Sequence, residues 1–267
     1  MTTLEVRDVT KVYKLRSGFR SADLRAVDGV SFALEPGRTT ALVGQSGSGK
    51  STVAKMLMHL ERPTSGRILV DGAPVGRGRR AEVAYRRRVQ MVFQDPFGSL
   101  NPYHSVGHHL ERPVRLHHPG LGDAEVRERV LALLRRVRLD PAEDYAQRRP
   151  HELSGGQRQR VAIARALAPE PGILVADEPV SMLDVSIRLG VLNLLASLQE
   201  EDDLGVLYIT HDLATARHFS DEILVMHRGT IVERGPADDV ILRPQHDYTK
   251  TLRAASPDPE RRLAELS

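Results

Sequence analysis

"TTALVGQSGSGKST", Thr39 to Thr52, is the stretch that decides the fold. "TTALVG" is a short apolar and β-branched run, which reads as a strand, and a helical pattern runs from Ser51 to Leu60. Between them "GQSGSGKS", Gly44 to Ser51, fits G-x-x-x-x-G-K-S/T in the context that gives this pattern its meaning, after a strand and at the opening of a helix. The glycines let successive backbone N–H groups face one point, and the helix start adds a dipole that favours an anion. Gly44, Gln45, Ser46, Gly47, Ser48, Gly49, Lys50, Ser51 and Thr52 are therefore expected to bind the phosphates of ATP. Lys50 is expected on the β- and γ-phosphates and the Ser51 hydroxyl on Mg²⁺.

Upstream of this loop the pattern is strands and turns: "LEVRDV", "GVSFAL" and a Pro36-Gly37 turn. Downstream, "RILVDGAPV" reads as a strand with an Asp-Gly turn. Between Asp95 and Pro150 apolar residues fall at helical spacing, with Val126, Val130, Leu133, Leu134 and Val137 behind an expected cap at Asp123. Alternation then returns: a helix from Ser154, strand "GILVAD", a helix over Asp184 to Glu200, strand "GVLYIT", a helix near Leu213 to Phe219 and strand "EILVMH". Buried strands alternating with helices predict a doubly wound, mostly parallel α/β core. Arg243 to Ser267, rich in proline and charge, reads as a surface tail.

Two further stretches carry chemistry. "ILVADE", Ile173 to Glu178, is a buried-strand pattern ending in two carboxylates where such strands open on a ligand crevice. Asp177 is assigned to Mg²⁺ through water and Glu178 to polarising the attacking water. "LSGGQ", Leu153 to Gln157, sets Ser154, Gly155 and Gly156 at a helix start, fit to hold a γ-phosphate. The bland alternative is a helix cap with no ligand, and the stretch does not say whose ATP it holds.

In combination these motifs resemble the ATP-binding cassette (ABC) family over roughly Leu4 to Ala255. The resemblance implies a P-loop NTPase cassette: a mostly parallel core sheet, an N-terminal antiparallel β subdomain and a helical subdomain at about 95–168, with residues 256–267 as a tail. It implies that two cassettes meet head to tail, each signature (Ser154, Gly155, Gly156, Gln157) closing over the partner's phosphate loop. By the same likeness Gln94 contacts Mg²⁺ and the membrane partner, Asp184 is the D-loop aspartate, His211 meets the γ-phosphate and Tyr13 stacks on adenine. Met182 stands where alanine is usual and Gln45 where the nearest subfamily often has glutamate. "FQDPFGSLNP" and "PQHDYTKTL" look like the oligopeptide, dipeptide and nickel importer branch, with Asp247 replacing a usual proline. That branch implies two permease subunits, a second and often different cassette, an indirect solute-binding protein and a peripheral place on the cytoplasmic face of the inner membrane. The alternative is a soluble cassette uncoupled from transport, such as a phosphonate-degradation accessory or a DNA repair or translation factor. The long coiled-coil insertion or second cassette usual in repair and ribosomal forms is absent from this sequence.

Composition sets the outer bounds. A chain of 267 residues, 40% hydrophobic and 27% charged, has ordinary globular usage and suffices for a large core. A net charge of +3 does not argue for nucleic acid, and no nucleic-acid partner is expected. Without cysteine there is no disulfide, thiolate metal site or cysteine nucleophile, and an iron–sulfur site in the tail is ruled out. No signal peptide or run of about 20 apolar residues is seen, so a soluble cytoplasmic chain is expected. The arginines of "RGRRAEVAYRRR", Arg77 to Arg88, read as a solvated face, and His104, His108, His109, His117 and His118, lacking nearby carboxylates, do not make a metal site.

Overall fold

Strand β3 (Thr39–Val43), which leads into the glycine loop, is buried along its whole length near the middle of a six-stranded sheet. The computed structural model describes residues 2–17, 20–76 and 78–255. In β3 the parallel neighbours are β8 (Gly205–Thr210) on one side and β9 (Glu222–His227) on the other. β7 (Ile173–Asp177) follows β8, and β6 (Val89–Val92) closes that edge, again in parallel. At the opposite edge β10 (Thr230–Pro236) runs antiparallel to β9. The register sets Val43 opposite Thr210 and Asp177 opposite Ile209, so the loops after β3, β7 and β8 leave the sheet side by side. Such a row of strand ends is where open α/β sheets hold their ligands.

A second, antiparallel sheet, in the order β2, β1, β4, β5, is built from β1 (Leu4–Ser17), β2 (Arg20–Leu34), β4 (Ser65–Val70) and β5 (Ala73–Pro74). The expected Asp71-Gly72 turn within "RILVDGAPV" joins β4 to β5 in a hairpin. Alternating residues of the core sheet feed two separate apolar cores. Leu207 and Ile209 of β8 join Leu4, Phe32 and Leu42 beneath the antiparallel sheet. Val206 and Tyr208 join the other core, which continues into the helices.

α1 (Lys50–Leu57) follows the glycine loop, and α2 (Arg79–Arg88) carries the arginine-rich stretch, with only Tyr85 buried. That helix was not foreseen, though its arginines are solvated as expected. Between β6 and β7 lie α3 (Pro96–Ser99), α4 (Val106–His117), α5 (Asp123–Arg136), α6 (Ala142–Gln147) and α7 (Gly155–Leu167). Val126, Val130, Leu133, Leu134 and Val137 form the buried stripe of α5. Its cap differs from expectation: Gly122 is the N-cap, and the Glu125 carboxylate reaches back to accept the Gly122 N–H at 2.8 Å. Asp123 instead pairs with Arg115. Leu134 is fully buried, so Leu134→Ala is expected to destabilise the fold by about 2–5 kcal/mol in denaturant unfolding.

After α8 (Val185–Asp202) and α9 (Leu213–Phe219), the chain ends in α10 (Ala237–Leu242) and α11 (Asp247–Ala255). The tail reading of Arg243 to Ser267 is corrected here as far as Ala255. α11 is packed down through Thr249 and Leu252, and the Gln245 and His246 N–H groups donate to the Glu233 carboxylate of β10 at 2.7 and 3.1 Å. The separate tail of residues 256–267 lies outside the described residues.

Candidate active site

The glycine loop joins β3 to α1 under tight steric limits. Gly49, the N-cap of α1, has φ +113°, and a Cβ there would stand 2.4 Å from the Ala26 carbonyl oxygen. A Cβ on Gly44 would stand 2.3 Å from the carbonyl oxygen of Met226 on β9. Lys50 is buried and donates from Nζ to the carbonyls of Gly44 at 2.6 Å and Gln45 at 3.1 Å. Burial lowers its pKa, opposed by the nearby carboxylates of Glu178 and Asp177. Those carbonyls are weak partners for an ammonium ion, and phosphate oxygens are better ones.

A cavity of about 710 Å³ opens over this loop. Ser46, Gly47, Gly49, Lys50, Ser51 and Thr52 form its floor. Tyr13, Gln94, Glu178 and His211 stand around it. Gly44, Gln45 and Ser48 do not line it among the described residues; Ser48 is buried behind the loop. Tyr13 faces Leu24 across the β1–β2 ladder, and the Lys11 ammonium lies 5.0 Å from its ring centroid.

Glu178 is the residue after β7 and has φ +44°, a conformation that costs on the order of 1 kcal/mol in a non-glycine residue and collects at functional sites. Its own N–H donates to the Ile209 carbonyl at 2.9 Å, and the Ser181 hydroxyl donates to its carbonyl at 3.0 Å. One carboxylate oxygen accepts from the Gln94 side-chain amide at 3.0 Å, while the other lies 3.2 Å from His211 Nδ1. Two residues far apart in sequence, Gln94 and His211, thus aim one carboxylate into the cavity. Next to it, Asp177 is pushed up to about 6, first by burial and then by the Glu178 charge, against the pull of Lys50 and Lys55. Asp177 faces a neighbouring groove of about 1400 Å³ that shares Ser51 and Gln94 with the cavity.

The "LSGGQ" stretch sits elsewhere. Ser154 caps α7: its hydroxyl oxygen accepts the Gln157 N–H at 3.3 Å, and the Gln157 side-chain oxygen accepts the Ser154 N–H at 2.9 Å. This reciprocal pair leaves the serine hydroxyl free to donate. Gly156 has a packing reason too, since a Cβ there would come within 2.6 Å of an Ile187 methyl on α8. Among the described residues Ser154, Gly155, Gly156, Gln157 and Asp184 contribute nothing to the wall of the Lys50 cavity. One chain therefore presents two separate surfaces suited to phosphate.

A family model described as ABC transporter matches residues 27–181. This chain belongs to the ABC transporter family. The cassette is 47% identical to the di/tripeptide transport ATP-binding protein DppF of Pseudomonas aeruginosa, over 96% of this chain and 79% of that protein. It is 44% identical to the oligopeptide transport ATP-binding protein AppF of Bacillus subtilis, over 96% of this chain and 78% of that one. Among solved structures, cbiO1 of Clostridium perfringens, part of the transporter complex cbiONQ, has a TM-score of 0.79 at 27% identity, covering 98% of this chain and 97% of the other. The dimeric cassette MJ0796, in a post-hydrolysis state bound to ADP and Pi, has a TM-score of 0.76 at 32% identity, covering 88% of this chain and 98% of that one. The cassette is an ABC-type ATPase.

The donors on hand suit a small, hard cation. The Ser51 hydroxyl, Gln94 amide oxygen and Asp177 carboxylate could offer oxygen atoms to such a cation beside the glycine loop, and the adjacent charges of Asp177 and Glu178 would be relieved by a divalent ion. No group of three or more acidic or histidine residues forms a metal cage among the described residues. His104 and His108 stack on each other with centroids 4.1 Å apart, and His109 Nε2 is engaged by the Asn101 carbonyl.

Sequence reasoning missed Arg25 and Arg228, both in the cavity wall. Arg228 and Gly229, with φ of +47° and +87°, form the β9–β10 turn, whose Gly229 N–H donates to the Ser48 carbonyl at 2.9 Å. An Arg-Gly pair after an apolar strand is a legible turn signal, but nothing local says that it abuts the phosphate loop.

Proposed function

We propose that this cassette is the ATP-hydrolysing subunit of an importer of peptides, acting with a second cassette and two separate membrane permeases at the cytoplasmic face of the membrane. The observation that carries the reading is the separation of the Lys50–Glu178 cavity from the capped "LSGGQ" helix within one chain. A head-to-tail pair of cassettes brings each signature over the other's cavity, and a dimeric relative exists. Peptide as cargo is supported by the names of the relatives, to which a glutathione import protein of Salmonella typhimurium adds a short peptide; its match spans 97% of this chain and 42% of that protein. No helix among the described residues is long and apolar enough to cross a membrane.

On binding, Lys50 exchanges the loop carbonyls for the β- and γ-phosphate oxygens. Ser51, Gln94 and Asp177 would hold Mg²⁺, which would supply neutralisation of the phosphate charge. Glu178, aimed by Gln94 and His211, orients the attacking water and draws its proton, while the partner's Ser154 hydroxyl and first-turn N–H groups of α7 stabilise the spread charge. Tyr13 offers its ring to adenine. The groove beside Gln94, with Phe93 and Leu116 exposed in its wall, is the contact with the permease, and a change of Gln94 contact there reaches Glu178 through one hydrogen bond.

Reconstitution with candidate peptide permeases tests this. Vesicle uptake of a radiolabelled dipeptide that depends on ATP, together with an ATPase rate per subunit that rises with protein concentration, is the expected result. Uptake of nickel in place of peptide would reassign the cargo. A specific ATPase rate independent of concentration would overturn the two-cassette site.

A further inference from the structure

The first peptide of the phosphate loop is held from outside by the C-terminal helix. The Gln45 N–H donates to the Tyr248 hydroxyl at 3.0 Å, across 203 residues of sequence. The Gln45 carbonyl is engaged from within: Ser48 N–H donates to it at 3.2 Å and Lys50 Nζ at 3.1 Å. The Gln45 N–H shares its peptide plane with the Gly44 carbonyl, which accepts Lys50 Nζ at 2.6 Å, so the plane held by Tyr248 carries the shorter of the lysine's two resting contacts and leads into the next peptide, whose Gln45 carbonyl closes the turn.

Tyr248 is itself braced. Its ring stacks on His227, at the end of β9, with centroids 3.9 Å apart, and its N–H donates to His246 Nδ1 at 3.1 Å. The Glu233 carboxylate fixes the chain just before the helix, and buried Thr249 and Leu252 seat the helix. The phenol oxygen is therefore a fixed acceptor on the core, aimed at the point where β3 gives way to the loop.

We propose that Tyr248 is a positioning residue for ATP binding: its hydroxyl pre-orients the Gly44–Gln45 peptide, so that the phosphate cradle is formed before nucleotide arrives. When Lys50 turns to phosphate oxygens, the Gly44 and Gln45 carbonyls lose their ammonium partner. The bond from Tyr248 is independent of that exchange and keeps the peptide in register. Without it the empty loop samples other orientations, and binding must then order it, which weakens affinity. The seating of α11 and the affinity for nucleotide become linked. This rests on the reading of Gly44 to Ser51 as the ATP cradle.

Tyr248→Phe removes one oxygen and keeps the ring, its stacking on His227 and the apolar packing of the helix. Equilibrium titration of the full chain with ATP, ADP and adenosine is the test. Loss of one such hydrogen bond predicts Kd for ATP and ADP raised about threefold to tenfold, with the number of sites and the adenosine affinity unchanged. A merely structural defect lowers the number of competent sites instead, since partial unfolding leaves the affinity of the remaining sites unaltered. Lys50→Ala is the parallel arm. If it loses ATP affinity while Tyr248→Phe shifts Kd less than about threefold, or tightens it, the positioning role is overturned. If Lys50→Ala binds ATP normally, the cradle assignment itself is wrong.

Discussion

Replacing Glu178 by glutamine is expected to cut steady-state ATP turnover at least ~100-fold while leaving ATP affinity within about twofold, because a positioned proton acceptor contributes on the order of 10²–10⁴ in rate. The substitution changes charge and basicity but hardly shape. Its amide keeps one acceptor oxygen for the Gln94 bond, and its backbone retains the φ of +44° and the bond to the Ile209 carbonyl. What disappears is the group that takes the proton from water. Removing a negative charge from the cavity wall takes away repulsion toward phosphate, so no loss of phosphate affinity is expected. Phosphate release and ATP titration, run on the same preparation, separate the two effects. Turnover close to that of the unaltered protein would remove Glu178 from its assigned role.

Gly49→Ala is expected to weaken ATP binding by at least ~100-fold, an effect that backbone strain of about 1–3 kcal/mol and a main-chain clash produce together. At φ +113° and ψ −6° an L side chain is strained before any neighbour is considered. The added methyl would also lie 2.4 Å from the Ala26 carbonyl oxygen and 2.6 Å from the Met226 methyl. The methionine end can swing away, but the Ala26 carbonyl belongs to β2 and cannot. The loop must therefore move, carrying the N–H groups of Lys50 and Ser51 off the phosphates. Gly47 is the comparison: its φ of +78° is also left-handed, yet a Cβ there meets nothing within 4 Å. Gly47→Ala should weaken binding only about tenfold, the conformational share of the penalty. Nucleotide titrations of both variants check this, and a Gly49→Ala affinity within threefold of the parent would contradict the steric account.

The groups proposed to act on ATP were legible by residue type and order, since a glycine loop between strand and helix or carboxylates closing a buried strand are local patterns. Their mutual arrangement was not. Gln94, Glu178 and His211 belong to three separate loops, and only the parallel register of β6, β7 and β8 brings them within hydrogen-bonding distance. Gly156 shows the same limit from another side, because its sequence context suggests an anion site while the Ile187 methyl on α8 supplies a steric reason that no local pattern contains.

By itself the sequence determined the alternation of buried strands and helices, the phosphate loop, the two carboxylates and the capped signature helix, because each is written in periodicity or spacing over a few residues. Tertiary structure alone decided that the last helix folds back onto the loop, through a Tyr248–Gln45 bond spanning 203 residues, and that Gln94, Glu178 and His211 meet at one carboxylate. Contacts of that range depend on how sheets and helices pack, and a short window of residues carries no record of the packing partner.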